Sequence, residues 1–324
     1  MRVIADDLWF PEGPVWLGDG SLLVVEIRRK TLTRVWLDGR QKQVVAELGG
    51  GPNGAAIGPD GQVYICNNGG FKFVKRTDGR WVTAGTPDDY VSGRIERVNL
   101  ATGAVERVFD HVASSNGSRI GSEPIRGPND IVFDAHGGFY FTDPGKTRHR
   151  DWDRGSIGYA RADGSVATEI IFPIHKPNGI GLSPDGKTLY VAETETARLW
   201  AWDLEAPGQL QRPPLASAQS PHGSRLVYAS PVYQRFDSLA VEANGNVCIG
   251  TLDRGGITVI DPATGSAEFV PVPGGDTHVT NLCFGGDGLK KVYVTLSYSG
   301  QLVEMDWPRA GLADANFKAL VESA

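Results

Sequence analysis

The sequence has little of what several common protein classes require. Its 324 residues include three Cys and two Met, and 38 acidic residues outnumber 32 basic ones, for a net charge of −6. No basic segment has the length or density of a nucleic-acid surface, so we expect no nucleic-acid partner. No run approaches the roughly 20 apolar residues of a membrane-spanning helix, so we expect no membrane partner either.

The N-terminus also lacks the pattern of an export signal. Residues 1–7 carry two acids and no long apolar stretch, whereas a signal peptide needs a continuous apolar region. The cysteines Cys66, Cys248 and Cys283 are odd in number, far apart and set in apolar, strand-like runs. We therefore expect reduced core residues and no metal-binding cysteine pair. Together these features predict a cytoplasmic protein.

Glycine and proline are plentiful, with 42 and 20 copies, which favours many short strands joined by tight turns. One pattern recurs six times: a polar residue and an apolar run, then a Gly-containing turn and a second β-rich run. Turn pairs such as Asp60-Gly61 and Asp185-Gly186 stand at matching offsets and are strong hairpin signals, because Asp and Gly tolerate positive φ. The six copies begin at Glu12, Asn53, Asn129, Asn178, Asp237 and Asn281.

A third and a fourth strand follow the hairpin in most copies, as at residues 94–98 and 105–109. Six units of four strands, about 40 to 75 residues apart, are typical of an all-β, six-bladed β-propeller. The last copy has three strands and then a Pro-rich, helix-like segment from Trp307. We therefore expect the strand at residues 2–5 to complete that blade and close the ring, leaving only short edges. This closure favours a single domain over residues 1–324.

Three long segments interrupt the regular spacing, at residues 66–93, 111–127 and 205–235. Long connections in a compact fold are usually functional loops or disordered segments. We interpret all three as rims over the aperture of the propeller.

The residue that begins each copy is the candidate for chemistry. The innermost strand of every blade lines the central channel, so copies in register place two carboxylates and four carboxamides around one ring. Such hard oxygen donors suit Ca²⁺, Mg²⁺ or Mn²⁺, and no pair of His is positioned to make a zinc site. The alternative for the Asn positions is a turn-capping role, since Pro-Asn-Gly is a good turn former. That alternative is weakest for Glu12 and Asp237, because a carboxylate in an aperture needs a cation.

Several longer motifs carry a resemblance that spans nearly the whole chain. They are FPEGPVW, GPNDIVFDAHGGFYFTDPG, KPNGIGLSPDGKTLYVAET and FDSLAVEANGNV, in this order. The sequence resembles the senescence marker protein/gluconolactonase (regucalcin-like) family. That resemblance implies a six-bladed propeller with a divalent cation in the central channel, and an enzyme that hydrolyses sugar lactones.

The resemblance also implies roles for individual residues. The metal ligands of the family fall on Glu12, Asn178 and Asp237, and Asn129 falls on a fourth ligand or on a residue that touches metal-bound water and substrate. Asp130 matches the acidic residue of the family's Asn-Asp pair, and we place it with Asn129 in substrate binding. Asp237 is the first choice for the base, and Asn129 orients the water or the substrate. Asn53 and Asn281 are not among the core ligands.

One position departs from the family pattern. Sugar-lactonase members often have a substrate-binding Arg two residues before the Asn of the Asn-Asp pair, where this chain has Gly127 and carries Arg126 one step further out. We keep Arg126 as a substrate-binding candidate. The departure leaves open whether the natural substrate is a sugar-acid lactone.

The sequence thus predicts a metal-dependent hydrolase that opens a small lactone by attack of water, with Ca²⁺ first among Ca²⁺, Mg²⁺, Mn²⁺, Zn²⁺ and Fe²⁺. Two alternatives stay open: hydrolysis of another ester or a phosphotriester, and a non-enzymatic binding propeller with a structural metal. No Gly-x-Ser-x-Gly elbow, phosphate loop or dinucleotide fingerprint occurs, which disfavours serine-hydrolase, nucleotide and hydride-transfer chemistry. The partner is a small molecule, and the oligomeric state stays open.

Other polar residues are secondary candidates. Asp143 ends a predicted strand, where it either caps a turn or joins the site. The segment 146–152 is basic and aromatic, and it either contacts a substrate carboxylate or lies in solvent. Four histidines lie in or near loops that could reach the rim: His149, His175, His222 and His278.

Overall fold

The computed structural model describes residues 1–114, 122–211 and 222–317. Within them nearly all regular structure is β, and the strands form six small sheets arranged as the blades of a propeller, which confirms the predicted fold. The first strand, β1 (Arg2–Ala5), belongs to the last blade. Blade 1 consists of β2 (Pro11–Trp16), β3 (Ser21–Glu26), β4 (Thr31–Trp36) and β5 (Gln43–Glu47).

Blades 2 and 3 each carry an additional hairpin. Blade 2 contains β6 (Pro52–Ile57), β7 (Val63–Asn67), the separate hairpin β8 (Phe73–Lys75) and β9 (Trp81–Thr83), then β10 (Arg94–Val98) and β11 (Val105–Phe109). Blade 3 contains β12 (His111–Ala113), β13 (Ser122–Pro124), β14 (Ile131–Phe133), β15 (Gly138–Asp143), β16 (Gly155–Arg161) and β17 (Ala167–Ile174).

The remaining blades complete the ring. Blade 4 contains β18 (Pro177–Leu182), β19 (Thr188–Glu193), β20 (Arg198–Ala206), β21 (Gln209–Leu210) and β22 (Arg225–Ala229). Blade 5 contains β23 (Arg235–Val241), β24 (Val247–Leu252), β25 (Gly256–Ile260) and β26 (Ala267–Pro271). Blade 6 contains β27 (Val279–Gly285), a 3₁₀ turn (Asp287–Leu289), β28 (Lys291–Leu296) and β29 (Gln301–Asp306), with β1 at its outer edge.

The innermost strands fix the order of the blades around the channel. Strand β2 contacts β6 and β27, β14 contacts β6 and β18, and β23 contacts β18 and β27. The blades therefore follow one another in sequence order around a closed ring, and blade 3 stands opposite blade 6. Strand β1 pairs antiparallel with β29, with Arg2 opposite Glu304. The prediction that the N-terminal strand completes the last blade is confirmed.

The core lies between neighbouring blades, because each sheet is covered on both faces. Strands such as β3 and β24 are buried along their whole length, which explains their continuous apolar runs in place of an alternating pattern. Between blades 1 and 2, for example, Val15 and Leu23 pack in one cluster with Ile57 and Val63. All three cysteines are free thiols, as predicted: Cys66 and Cys248 are buried and Cys283 is partly buried.

In two of the three long segments the described strands lie at the outer edge of a blade, where we expected a rim over the aperture. In the segment 111–127, β12 and β13 extend the outer edge of blade 3 beside β17. In the segment 205–235, β22 is an outer strand of blade 4, paired with β20. Both segments add hydrogen bonds to an outer strand that would otherwise be an exposed edge. Residues 115–121 and 212–221 of these segments lie outside the described part of the chain.

The C-terminal segment also differs from the expectation of a helix. Residues 307–312 form a bend and a single bridge between Gly311 and Glu242. The indole of Trp307 donates a 2.6 Å hydrogen bond to Glu242, and the Arg309 guanidinium donates another of 2.6 Å. These bonds hold the segment extended against blade 5, where a helix could not keep both. Among the described residues no helix has the length and apolar character needed to cross a membrane.

Candidate metal centre

The six polar positions of the repeat lie at the start of the six inner strands, all at one end of the channel. Five are the second or third residue of their strand, and Asn129 lies two residues before β14. The pairing register of the inner strand shifts at this position in blades 1, 2, 4, 5 and 6. Such a bulge re-aims a side chain that the regular pleat would direct into the sheet. The repeated bulge therefore turns these side chains towards the channel.

A glycine after the polar residue lets adjacent inner strands approach closely. A Cβ added at Gly13 would lie 2.5 Å from the carbonyl oxygen of Asn53, and one at Gly54 would lie 2.5 Å from that of Asn129. The Gly54 N–H donates a 2.6 Å hydrogen bond to this Asn129 oxygen. Any side chain there would push the blades apart. The glycine of Pro-Asn-Gly is thus explained by packing between strands, and Asn53 itself lies in strand β6 and not in a turn.

Buried hydroxyl groups join neighbouring blades at the ring. Thr142 of blade 3 donates a 2.6 Å hydrogen bond to the carbonyl oxygen of Asn178 in blade 4. Ser238 of blade 5 donates a 3.5 Å bond to the Asn178 Oδ1 atom. Ser297 of blade 6 donates a 2.7 Å bond to the carbonyl oxygen of Pro11 in blade 1. These hydroxyls were not found from the sequence, since isolated Ser and Thr in strands carry no signal of their own.

Glu12 is the buried carboxylate of blade 1, with only 3% of its surface exposed. Its Oε2 accepts a 3.2 Å hydrogen bond from the Gly13 N–H. Burial raises the pKa of Glu12 well above its usual range, and the charge of Asp237 raises it further. Side-chain hydrogen bonds from Thr280 and Asn281 act in the opposite direction. Asn281 therefore supports the Glu12 carboxylate, in keeping with its absence from the predicted ligands.

Asp237 is the buried carboxylate of blade 5, and its negative charge acts on Glu12. Burial raises the pKa of Asp237, and the negative charge of Asp130 adds to this shift. A hydrogen bond from the Asn178 side chain and the charge of Arg235 oppose it. Since Asn178 also donates from Nδ2 to the Thr194 hydroxyl at 3.0 Å, its amide orientation is fixed. Asp237 thus lies near both Glu12 and Asn178, and the role of the three residues as metal ligands stays a prediction.

Asn129 contributes a polar atom that lacks a partner. Its Oδ1 is buried, and within the described part of the chain no hydrogen-bond donor reaches it. A buried carbonyl oxygen without a partner costs about 1–3 kcal/mol, so this atom is suited to a ligand outside the protein chain. The assignment of Asn129 to metal or substrate binding stays a prediction.

Asp130 lies just beneath Asn129 and connects three blades. Its Oδ1 atom accepts a 3.0 Å hydrogen bond from the Ile131 N–H, and the backbone of Ile180 and Leu239 and the Ser238 hydroxyl favour its charged form. Burial raises its pKa to about 7. The residue lines a cavity of about 520 Å³ that continues down the channel away from the ring. This position favours a role in holding the strands of the site, and substrate binding by Asp130 stays a prediction.

The donor set fits a hard divalent cation. The charge of Asp237 raises the pKa of the buried Glu12 carboxyl group, the charge of Asp130 raises that of Asp237, and the ring adds the amide oxygens of Asn178 and Asn129. A cation between them would offset the repulsion that burial amplifies. Within residues 1–114, 122–211 and 222–317, no three His, Cys, Asp or Glu side chains come together as a metal site. A cation here would therefore need the amide oxygens of Asn178 and Asn129 as well as the carboxylates, as in oxygen-rich calcium sites.

Arg126 and Asp143 lie together at the rim of blade 3. The Asp143 carboxylate accepts hydrogen bonds from the backbone N–H groups of Arg126, Gly127 and Gly145 at 2.7, 2.8 and 2.9 Å. Asp143 is therefore a turn cap, the first of its two alternatives. The Arg126 residue is exposed, and its carbonyl oxygen accepts a 2.5 Å bond from the Tyr90 hydroxyl. Its predicted contact with substrate stays a prediction.

The segment 146–152 divides into a buried and a solvated part. Lys146 is 2% exposed, and its Nζ donates to the carbonyl oxygens of Asn68 and Gly70 at 2.6 and 2.7 Å. Residues 147–151 are exposed, and Trp152 is 54% exposed. The solvated alternative therefore holds for most of the segment, while Lys146 is a buried cation that the sequence did not reveal.

The histidines are dispersed. His149 is exposed, and His175 lies beside Trp152 at the rim. The ring of His222 packs against Trp200 in blade 4, with centroids 4.7 Å apart. His278 stacks on Tyr298 at 3.8 Å near the mouth of the channel, and burial lowers its pKa to about 3. His278 is therefore uncharged at neutral pH.

A family model and several known proteins are similar to this chain. A model of the SMP-30/Gluconolactonase/LRE-like region matches residues 10–298. A gluconolactonase of Zymomonas mobilis is 24% identical over 322 residues, which cover 92% of this chain and 79% of that protein. Lactonase drp35 of Staphylococcus epidermidis is 32% identical over 148 residues, or 46% of this chain and 42% of that protein. The drp35 match therefore spans less than half of either protein.

A solved structure extends the likeness to the fold. A calcium-binding protein, regucalcin, from Agrobacterium tumefaciens matches with a TM-score of 0.68 and 20% identity, over 96% of this chain and 94% of that one. At this identity the likeness shows a shared fold alone.

Proposed function

This chain belongs to the SMP-30/gluconolactonase/LRE-like family, and we propose that it is a divalent-metal-dependent lactonase that opens a small lactone by attack of water. The observation that carries the proposal is the pair of buried carboxylates, Glu12 and Asp237, beside the Asn129 oxygen that lacks a partner. A binding propeller with a structural metal would use the same two carboxylates, so the choice of an enzyme rests on the relatives. Relatives named gluconolactonase and lactonase support the reaction class.

The proposed cation ligands are Glu12, Asn178 and Asp237, with Asn129 as a fourth oxygen donor. A bound divalent cation supplies Lewis-acid polarisation of a carbonyl oxygen. The all-oxygen donor set favours Ca²⁺, and the described function of the regucalcin neighbour, calcium binding, agrees with this choice.

The proton transfers belong to this chain's own residues. Asp237 accepts a proton from the attacking water as the water oxygen bonds to the lactone carbonyl carbon. When the bond between that carbon and the ring oxygen breaks, Asp237 returns the proton to the ring oxygen, which leaves as an alcohol. The product is a hydroxy acid. Asn129 orients the water or the substrate, and transfer by a positioned acid–base group contributes about 10²–10⁴-fold.

A lactone panel with a pH indicator tests the proposal. The purified protein is assayed on D-glucono-δ-lactone, δ-valerolactone and dihydrocoumarin, as prepared, with chelator, and after Ca²⁺, Mg²⁺ or Mn²⁺ is restored. We expect hydrolysis of at least one lactone that chelator removes and one of the metals restores. Activity on aryl esters or a phosphotriester without any lactone would instead support the second hydrolase class. No hydrolysis of any lactone or ester with metal restored would overturn both.

A further inference from the structure

The floor segment, residues 307–317, crosses the end of the channel that lies opposite to the polar ring. The ring is at the start of the inner strands, so the last residues of these strands mark this far end. There the Leu312 N–H donates a 2.8 Å hydrogen bond to the carbonyl oxygen of Val241 in blade 5. The Asn316 Nδ2 atom donates another, also of 2.8 Å, to the carbonyl oxygen of Ile57 in blade 2. Because blades 2 and 5 stand opposite each other, the chain between these two bonds passes across the channel.

A cavity of about 520 Å³ lies between the polar ring and the floor segment. Asp130 and Asn281 line its upper end. Each blade contributes at least one apolar side chain to its wall: Val15, Ile57, Ile131, Leu182, Val241 and Phe284. This volume is within the usual range for sites that bind small molecules, which are mostly apolar with a few polar groups.

The floor segment covers the channel unevenly. Its last described residue, Phe317, packs in one cluster with Trp16 of blade 1. The side of blades 3 and 4 is different, because exposed residues of their turns line the cavity, among them His136, Asp185 and Lys187. In the described part of the chain, the cavity is therefore open beside these turns, and a small molecule can enter it without passing the metal ring.

Asp314 is the acid that the floor segment contributes to the cavity. It lines the cavity and has an accessible side chain, while the protein packed around it raises its pKa. Its charge also raises the pKa of Cys283 in the cavity wall. Among the described residues, no hydrogen-bond donor or cation pairs with the Asp314 carboxylate. A carboxylate in such surroundings is stabilised by a cation that enters the cavity.

The other charged residues of the cavity are also mostly acidic. The acids that line it are Asp130, Asp134, Asp185, Glu205 and Asp314. The basic residues are Lys187 and His136, both exposed at the opening. Two of the acids are engaged in their own turns: Asp134 accepts a 2.7 Å bond from the His136 N–H, and Asp185 accepts a 2.6 Å bond from the Ser183 hydroxyl. The cavity therefore favours a cation over an anion, and Asp314 has a carboxylate available for it.

We propose that this cavity is a second ligand site, which binds a small molecule with an apolar body and one alkylammonium group. The ammonium group pairs with Asp314, and the apolar body is buried against the inner strands. The site lies at the other end of the channel from the candidate metal centre and has its own opening. Its occupation therefore does not depend on the proposed lactonase function.

The test compares three probes with the same eight-carbon chain and different head groups: n-octylammonium, 1-octanol and octanoate. Isothermal titration calorimetry is performed in chelator, so that octanoate cannot bind through a metal ion at the ring. We expect one n-octylammonium per chain, bound at least about tenfold more tightly than octanoate, with 1-octanol between them. Asp314→Asn should weaken n-octylammonium by about tenfold and change 1-octanol by less than about twofold.

Two further variants test the place of binding. Asp287→Asn is the matched control, since it removes an exposed carboxylate at the same end of the propeller that does not line the cavity, and it should bind all three probes as the wild type does. Ala56→Leu adds apolar atoms at a partly exposed position of the cavity wall and should weaken all three probes. Thermal melts establish that the variants are folded.

Two kinds of result would overturn the proposal. If octanoate binds as tightly as n-octylammonium, or if Asp314→Asn behaves as Asp287→Asn does, the cavity does not select an ammonium group. If no probe binds, or if Ala56→Leu leaves every affinity unchanged, the cavity is not the ligand site.

Discussion

The hydroxyl of Thr142 in blade 3 lies between two segments of the candidate site and bonds to both. It donates a 2.6 Å hydrogen bond to the carbonyl oxygen of Asn178, and it accepts a 3.1 Å bond from the backbone N–H of Asp130. Thr142 is fully buried, so water cannot replace either bond. One hydroxyl therefore sets the distance between the residues that blades 3 and 4 contribute to the ring.

We expect Thr142→Val to lower the free energy of unfolding by about 1–3 kcal/mol. The substitution preserves the side-chain shape but leaves a buried N–H and a buried C=O without their shared partner. Thr142→Ser keeps the hydroxyl and should retain most of the stability. Urea unfolding of the three proteins measures the difference. A Thr142→Val protein as stable as the wild type would show that the two bonds contribute nothing.

The metal content of variants tests the ligand assignment. We expect Glu12→Gln and Asp237→Asn each to reduce bound metal from one per chain to a small fraction, because each removes one of the two charges that a cation would balance. Asn53→Ala is the control, since Asn53 is in the ring but not among the proposed ligands. Elemental analysis after dialysis gives the ratio. Metal retained at one per chain in both acidic variants would place the site elsewhere.

Cation binding should also stabilise the fold. A ligand that binds only the native state adds RT ln(1 + [L]/Kd), or about 2.7 kcal/mol at a hundredfold excess over Kd. We expect a higher Tm in Ca²⁺ than in chelator for the wild type, and no such difference for Glu12→Gln. Differential scanning calorimetry provides the measurement. Equal melting temperatures for the wild type in Ca²⁺ and in chelator would argue against a bound cation.

Much of the architecture could be predicted from the sequence, because each copy of the repeat is recognised from residues close together in the chain. Hairpin turns such as Asp60-Gly61 and the strands between them depend on residues close in sequence. The predicted fourth strand of blade 2, residues 105–109, has the observed bounds. The pairing of residues 2–5 with the last blade, which closes the ring, could also be predicted, since the last copy lacked a strand. The alignment of the six copies was therefore enough to predict that Glu12, Asn178 and Asp237 lie near one another.

Features that depend on contacts between distant residues were not predictable in this way. Phe73 meets Phe10, and Arg80 meets Tyr298 more than 200 residues along the chain. Nothing near residue 73 indicates that partner, so the sequence showed a rim loop but not which blades it touches. The burial of Lys146 was hidden for the same reason, since its acceptors are backbone carbonyl oxygens of another blade.

Asp130→Asn separates two roles for that residue. The Asp130 Oδ1 atom accepts a 3.0 Å hydrogen bond from the Ile131 N–H, and two further backbone groups and the Ser238 hydroxyl favour the charged form of the carboxyl group. An Asn side chain would aim an NH₂ group at some of these donors. We expect a loss of about 1–3 kcal/mol in the free energy of unfolding. Arg126→Ala, at an exposed side chain nearby, should leave stability unchanged. If Asp130 only binds substrate, KM will rise in the Asn variant while the unfolding free energy stays at the wild-type value.

Lys146 should give stability a specific dependence on pH. Burial lowers the pKa of Lys146 to about 8, whereas a lysine in the unfolded chain titrates near 10.4. Between about pH 8 and 10.4 the unfolded state therefore holds a proton here that the native state has lost, so this site makes stability rise with pH. Below about pH 8 both states are protonated and the site contributes no pH dependence.

Lys146→Met keeps the apolar stem against Phe71 and removes the titrating group. The unfolding free energy of the wild type minus that of Lys146→Met should be constant from pH 6 to 7 and rise by about 1–3 kcal/mol from pH 8 to 10. Lys72→Met is the control, because it removes an exposed lysine of the segment 66–93 and leaves the buried Lys146 ammonium in place, so its unfolding free energy minus that of Lys146→Met should show the same rise. Chemical denaturation at a series of pH values measures all three proteins. A flat difference for Lys146→Met would mean that the two carbonyl oxygens and the rings of Phe71 and Tyr90 hold the ammonium charged as well as water does.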